Sequence, residues 1–323
     1  MNSIKVSHIF SVFNQSIICY LIKKISKKKI EFVTPDKCDL LFIGPYDLES
    51  IKRRIFQTFK KKINEFVKIE KYFKNLDFYM LGRSSKPLRV FFPTENVPYN
   101  VYDADYYISP ALGVNDKKHF RFSIWKEDID WSHEGIVRDI SFGNAKRFGS
   151  WHDIESLLRP QGKDFLSKKR DMCIFASHLK EPRKSFYLSF LKEFKVDGFG
   201  SYFDKKIKNH NQSNMLKIDI MKNYAFNLCP ENSIFPGYYT EKTLDSFIGK
   251  CLPITWADSN IKFDFNQNAF INLNDFMNEN LKELFSLLKD DAFLNKYTKE
   301  PLLLKKPNLD SETKFIDTIL SNF

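Results

Sequence analysis

Thr240, Glu241 and Lys242 stand together at the start of a predicted helix. The first turn of a helix leaves backbone N–H groups without intrahelical partners, which makes it a natural seat for phosphate. Lys242 then serves as a positive partner for a diphosphate, and Glu241 as a carboxylate that accepts hydrogen bonds from ribose hydroxyls. The same three residues also read as an acidic first turn followed by a surface lysine. Arg183, after Lys180, Glu181 and Pro182, can grip phosphate with two parallel N–H bonds, which makes it a candidate second clamp; its plainer role is a surface arginine. Asn232 and Tyr238 bracket the Pro236-Gly237 turn and can orient a ligand or simply pack. Glu95 follows an apolar run and the residues Phe92, Pro93 and Thr94; it can take a proton from an acceptor hydroxyl or serve a turn. Glu127, Asp128 and Asp130 compete for that role beside Trp125 and Trp131, rings that can stack on a ligand or fill a core. The six histidines show no compact metal spacing, and the odd set Cys19, Cys38, Cys173, Cys229 and Cys251 reads as reduced core thiols.

Positioning these groups requires alternating strands and helices. Residues 172–177 read as a strand, 182–194 as a helix with Phe186, Phe190 and Phe194 spaced by four, 195–199 as a strand and turn, 214–221 as a helix and 225–229 as a strand. Thr240 is the expected N-cap of the next helix, Leu244, Phe247 and Ile248 its apolar face, Gly249 its stop, and 252–256 the strand that follows. That strand–loop–helix–strand order puts the 236–242 loop at the carboxyl end of a parallel sheet, where open α/β sheets bind ligands. The earlier half reads as strands at 5–13, 38–43, 88–92 and 105–109 with a helix at 15–24, and later helices are expected at 280–288 and 310–323. An α/β chain of two domains follows, with the break at Arg159-Pro-Gln-Gly162 and the basic run after it. The expected organisation is 1–160, then 161–302, then a helical tail at 303–323 that either completes the second domain or packs back on the first.

The net charge of +11 is spread over basic runs at 23–29, 52–71, 168–170 and 205–208. A summed field does not choose among nucleotides, anionic membranes and nucleic acid. No base-reading module accompanies the charge, so nucleic acid is not an expected partner. The apolar stretch 17–22 is far short of a membrane span, and Asn14 and Gln15 interrupt what would be a signal core. A cytoplasmic protein with peripheral contact to an anionic inner membrane is the expectation.

The ordered set Cys229-Pro-Glu-Asn-Ser233, Pro236-Gly-Tyr-Tyr-Thr-Glu-Lys242, Leu252-Pro-Ile-Thr-Trp256, Asp264-Phe-Asn266 and Phe270-Ile-Asn272 resembles the α-1,3-fucosyltransferases of glycosyltransferase family ten. The likeness extends forward through Phe92-Pro-Thr-Glu-Asn96, the 125–131 stretch and 175–183. It implies a GT-B type fold, two Rossmann-like domains facing a cleft, with GDP-fucose held by the C-terminal one and inversion at the fucose C1 in a single displacement. By that resemblance Arg183 and Lys242 neutralise the diphosphate, Asn232 and Tyr238 place the donor, Glu241 holds the ribose and Glu95 is the general base. An N-acetylglucosamine-containing surface glycan, such as a lipopolysaccharide or capsular unit, is the implied acceptor. Mn²⁺ or Mg²⁺ is compatible with that chemistry, although no Asp-x-Asp site demands a metal. The chain has Thr94 where the family commonly has Gly, and it departs again at Pro230, Ile234 and Phe235. A different nucleotide deoxysugar, or a noncatalytic glycan- or nucleotide-binding role, is the alternative reading.

Overall fold

The computed structural model describes residues 3–9, 11, 13–45, 87–140, 151–203, 217–276 and 281–323. The basic runs at 52–71 and 205–208, His210 and the first residues of the helix expected at 214 lie outside that set.

Two units emerge from the contacts: Met1–Phe122 with Leu309–Phe323, and Ser123–Asn308. The first is built on β1 (Ser3–Ile9), β2 (Lys29–Phe32), β3 (Leu40–Ile43), β4 (Leu88–Phe91), β5 (Tyr106–Ser109) and β6 (His119–Arg121). All neighbours pair in parallel, in the order β2-β1-β3-β4-β5-β6. Strand β3 is the continuous apolar run Leu-Leu-Phe-Ile, buried at every position, as a strand covered on both faces must be. The opening strand ends at Ile9, earlier than expected, because Phe13–Gln15 wind into a 3₁₀ turn. Helix α1 (Ile17–Ile25) then starts at Ser16, whose Oγ accepts the Ile18 N–H at 3.1 Å. The C-terminal helix (Asp310–Leu320) belongs to this unit, where Phe315 stacks on Phe120 at 5.0 Å and meets Tyr106 edge-on.

The second unit repeats the winding with β7 (Met172–Phe175), β8 (Val196–Phe199), β9 (Phe226–Leu228), β10 (Leu252–Thr255) and β11 (Ile271–Asn272), in the parallel order β11-β10-β9-β7-β8. Its helices include α2 (Ile154–Leu157), α3 (Arg183–Phe190), α4 (Lys217–Met221), α5 (Glu241–Ile248) and α6 (Leu281–Leu287). Helix α3 is shorter than the expected 182–194, yet Phe186, Phe190 and Phe194 all enter the core formed with Met172, Phe226 and Phe285. The second sheet has the 2-1-3-4-5 order of flavodoxin-type doubly wound folds and the first adds a sixth strand to that order, so the strand order reverses between β1 and β3 in one and between β7 and β9 in the other.

The division between the units falls at Phe122/Ser123, ahead of the 160/161 position expected from the sequence. Residues 123–140 and 151–160 are tied into the second unit: Trp125 Nε1 donates to Asp264 at 3.1 Å, and a bridge pairs Ile129 with His152. The Pro160-Gln161-Gly162 stretch is an internal loop, not a linker. Gln161 Nε2 donates to the carbonyls of Phe247 at 3.2 Å and Cys251 at 2.8 Å. Trp125 and Trp131 are both buried, which makes them core rings. Glu127 pairs with Arg138 at 3.4 Å, and Asp130 accepts the Ser132 N–H at 2.9 Å, so both carboxylates have structural work. All five cysteines are free thiols and buried. Among the described residues no helix is long and apolar enough to cross a membrane.

Candidate active site

The carboxyl ends of β7 and β9 flank the strand-order reversal of the second unit, and α5 begins just beyond β9. A small polar cavity of ≈ 40 Å³ lies there, lined among others by Ala176, Arg183, Lys217, Pro230, Glu241 and Lys242. The route of the chain explains that gathering. After β9, the Glu231 N–H bonds the Trp256 carbonyl at 3.0 Å, which turns the Glu231 side chain inward. The chain reverses at Gly237, whose φ of 93° lies in the region glycine enters without strain. Thr240 therefore returns against Glu231, whose carboxylate accepts the Thr240 N–H at 2.8 Å.

Thr240 occupies the N-cap position as expected, but its hydroxyl does not cap the helix. It lies 2.8 Å from Glu231 Oε2 and 3.0 Å from Oε1 instead. Lys242 Nζ reaches the same carboxylate at 3.0 Å and Thr240 Oγ1 at 2.8 Å. The lysine expected as a positive partner for a diphosphate is thus held in an ion pair of which Glu231 is only 1% exposed. Burial acts to lower the Lys242 pKa, but the attraction of Glu231 and then Glu241 outweighs it and raises the pKa overall. Burial likewise opposes ionisation of Glu241, yet Lys242 and Lys217 hold its carboxyl at about 2.

Arg183 opens α3, is 5% exposed and lines the cavity. Its Nη2 donates to His178 Nδ1, which fixes that nitrogen as the acceptor in the neutral imidazole. Its Nε has no hydrogen-bond partner although it is buried. Burial lowers the Arg183 pKa, with Glu231 and Tyr238 opposing, and a guanidinium remains charged throughout. A buried N–H without a partner, at the wall of a polar cavity, is a donor waiting for an acceptor.

A second layer supports this wall. Asp245, fully buried on α5, accepts Lys217 Nζ at 2.6 Å and is bonded to His152 Nε2 at 2.7 Å. Lys217 Nζ also lies 3.9 Å from Glu241, so the buried aspartate reaches the cavity through the lysine. Asn227 Nδ2 donates to Ser246 Oγ at 2.7 Å, and that hydroxyl donates to the Lys242 carbonyl at 2.6 Å, which ties α5 to β9.

The structure thus brings Arg183, Glu241 and Lys242 together at one cavity. Tyr238 is 2% exposed and acts on both Arg183 and Lys242 electrostatically without lining the cavity. Asn232 is exposed and is not part of the cavity wall. Glu95 lies in the first unit, half-buried, just past the carboxyl end of β4, where its carbonyl accepts the Val97 N–H at 2.9 Å. Glu231, Lys217, Asp245 and His152 were not singled out from the sequence. Asp245 alone left a local trace, an acidic residue between Leu244 and Phe247 on the apolar face of α5. Among the described residues no group of three or more His, Cys, Asp or Glu side chains is placed to hold a metal ion.

Residues 165–300 match the family model described as glycosyltransferase family 10 (fucosyltransferase), C-terminal part. An alpha-(1,3)-fucosyltransferase of Helicobacter pylori is 26% identical over 237 residues, 66% of this chain and 47% of that protein. A putative fucosyltransferase of Acanthamoeba polyphaga mimivirus is 26% identical over 152 residues, 44% of this chain and 25% of that protein. The aligned segments span less than half the length of either relative. A crystal structure of an alpha1,3-fucosyltransferase shares the fold with a TM-score of 0.65 at 21% identity, over 99% of this chain and 90% of that one. Another, solved with GDP-fucose, has a TM-score of 0.64 at 19% identity, over 100% and 92%. The GT-B type fold expected from the sequence is therefore the fold of this chain.

Proposed function

We propose that this chain, whose residues 165–300 match the model of glycosyltransferase family 10, is an inverting fucosyltransferase that moves L-fucose from GDP-fucose to a glycan hydroxyl. The observation that carries the reading is the buried, unpartnered Nε of Arg183, a residue that lines the same cavity as Lys242 at the strand-order reversal of the second unit. Departure of GDP builds negative charge on the diphosphate, and fixed cations stabilise that charge most where water is excluded. Arg183 and Lys242 are those cations. Glu241, ionised well below neutrality, is suited to accept ribose hydroxyls, and Tyr238 and Asn232 belong to the loop that would meet the rest of the donor. Glu95 is the proposed base for the acceptor hydroxyl. The acceptor is an N-acetylglucosamine-containing surface glycan and the linkage α-1,3, with assembly on the cytoplasmic side of the inner membrane. Mn²⁺ or Mg²⁺ is compatible with the chemistry, and no step assigned to these residues runs through it.

The test is product formation by the purified chain with GDP-fucose and a panel of N-acetyllactosamine acceptors, with GDP-mannose in parallel and the linkage read by NMR. Transfer with inversion is expected. Absence of both transfer and GDP-fucose hydrolysis defeats the reading, and preference for another donor corrects the sugar. That donor arm matters because Ile234, where the chain departs from the family, is 37% exposed in the same loop as Asn232.

Replacing Lys242 by alanine removes one charge-assisted phosphate contact, about 1.5–3 kcal/mol, so GDP affinity is expected to fall roughly 10- to 150-fold. Calorimetric titration with GDP checks it, and unchanged affinity removes Lys242 from the site. Arg183→Lys keeps the charge but loses the fork geometry and the Nε donor, so it too is expected to weaken GDP binding. A variant that binds GDP like the parent in the same titration shows that Arg183 supplies charge alone.

A further inference from the structure

We propose that Glu231 is a positioning residue of the donor site, its buried carboxylate fixing the Lys242 ammonium and the start of α5 beside Arg183 so that both cations meet one diphosphate. The inference rests on the donor-site reading above and adds a residue that neither touches the nucleotide nor carries the reaction.

The geometry is a closed ring. Lys242 Nζ donates to Glu231 Oε2 at 3.0 Å and to Thr240 Oγ1 at 2.8 Å, and the Thr240 hydroxyl, having one hydrogen, returns it to the carboxylate. The Thr240 N–H closes on Oε1 at 2.8 Å. An ammonium has three hydrogens, so two are used within the ring and one is left for the cavity that Lys242 lines. Glu231 is also the anion that acts most strongly on both Lys242 and Arg183. Two cations gathered for a diphosphate repel each other before it arrives, and a carboxylate between them offsets that repulsion.

The other charged and titratable groups around Lys242 do not replace Glu231. Glu241, on the same helix, is shared with Lys217 of α4, and Asp245 of α5 is taken by Lys217 and His152. Tyr238 of the preceding loop also acts on Lys242. Burial pushes the Cys229 thiol at the end of β9 up to about 12, so it stays neutral over the working range. Lys217 and Arg183 add positive charge. Neutralising Glu231 therefore removes the largest attraction that opposes burial at Lys242 and leaves Glu241 as the next.

The sign follows. A diphosphate needs the protonated ammonium, so GDP affinity is lost as pH rises through the Lys242 pKa. In the parent that pKa lies above the ordinary range, and GDP affinity is expected to be flat between pH 7 and about 9. In Glu231→Gln it is expected to fall with rising pH, by about tenfold per unit once the lowered pKa is passed. Glu231→Asp retains the charge, so its affinity is expected to be lower but flat, which restores the profile. Titration calorimetry with GDP at several pH values reads all three. A uniform loss in Glu231→Gln at every pH, or no loss, overturns the proposal, because a residue that only packs the loop does not move the pH dependence. Lys242 is titrated separately in the parent, without nucleotide, by NMR of its Cε in ¹³C-lysine-labelled protein, which leaves the three ammonium hydrogens in place. Loss of its proton at or below the ordinary lysine value of about 10.4 also overturns the proposal, even if the variants do not fold. Failure of the parent to bind GDP would instead count against the donor-site reading, while the amine titration still decides the role of Glu231.

Discussion

Replacing Glu95 by glutamine is expected to reduce turnover by roughly 10²–10⁴-fold, the usual contribution of a positioned general base, with little change in GDP affinity. The amide has nearly the shape of the carboxylate but cannot take the acceptor proton at neutral pH. The side chain sits in a turn set by the Glu95 carbonyl and the Val97 N–H at 2.9 Å, so the backbone has no need to move. Glu95 belongs to the first unit, whereas Arg183, Glu241 and Lys242 belong to the second, which is why turnover and nucleotide affinity are separable readouts. Single-turnover product formation gives the first and calorimetry with GDP the second. Unchanged turnover removes Glu95 as the base. Parallel loss of affinity would mean that the substitution disturbs structure and does not isolate a proton transfer.

What could be read in the sequence follows the range of the forces involved. Strands β3, β7 and β10 are apolar runs bounded by turn residues, a local signal, and they lie where expected. Strands β2, β6 and β11 were missed: they are two to four residues long and lie at the sheet edges, where burial imposes little pattern. Arg183 and Lys242 were recognisable because both fall in the first turn of a helix after a strand, a position with its own chemistry. Their partners were not. Glu231 meets Lys242 only because Gly237 reverses the chain, and His152 meets Asp245 across 93 residues of sequence. The Arg159-Pro-Gln-Gly162 signal was a true turn but a false boundary, since Gln161 is anchored to the Phe247 and Cys251 carbonyls. Local composition announces a turn; whether a turn ends a domain depends on hydrogen bonds that composition does not record.

The buried Asp245 links stability to the site, and its replacement by alanine is expected to be the most destabilising single change argued for this chain. Its two oxygens answer Lys217 at 2.6 Å and His152 at 2.7 Å, with no exposure of the aspartate side chain. Removing the carboxylate leaves an uncompensated charge in a buried site, which costs about 3–5 kcal/mol, a large share of the roughly 5–15 kcal/mol that holds a folded protein together. Glu241, 3.9 Å from Lys217, recovers part of that loss, so the lower end of the range is expected. For a unit of this size it corresponds to a drop of roughly 6–12 °C in Tm, read by calorimetry on the transition of the second unit. The same shift of Lys217 toward Glu241 competes with ribose for that carboxylate, so the folded variant is expected to bind GDP more weakly than the parent. Asp245→Asn keeps the shape and an oxygen for Lys217, and a smaller drop is expected. If both variants melt within about 1 °C of the parent, the pairing carries no weight in the fold.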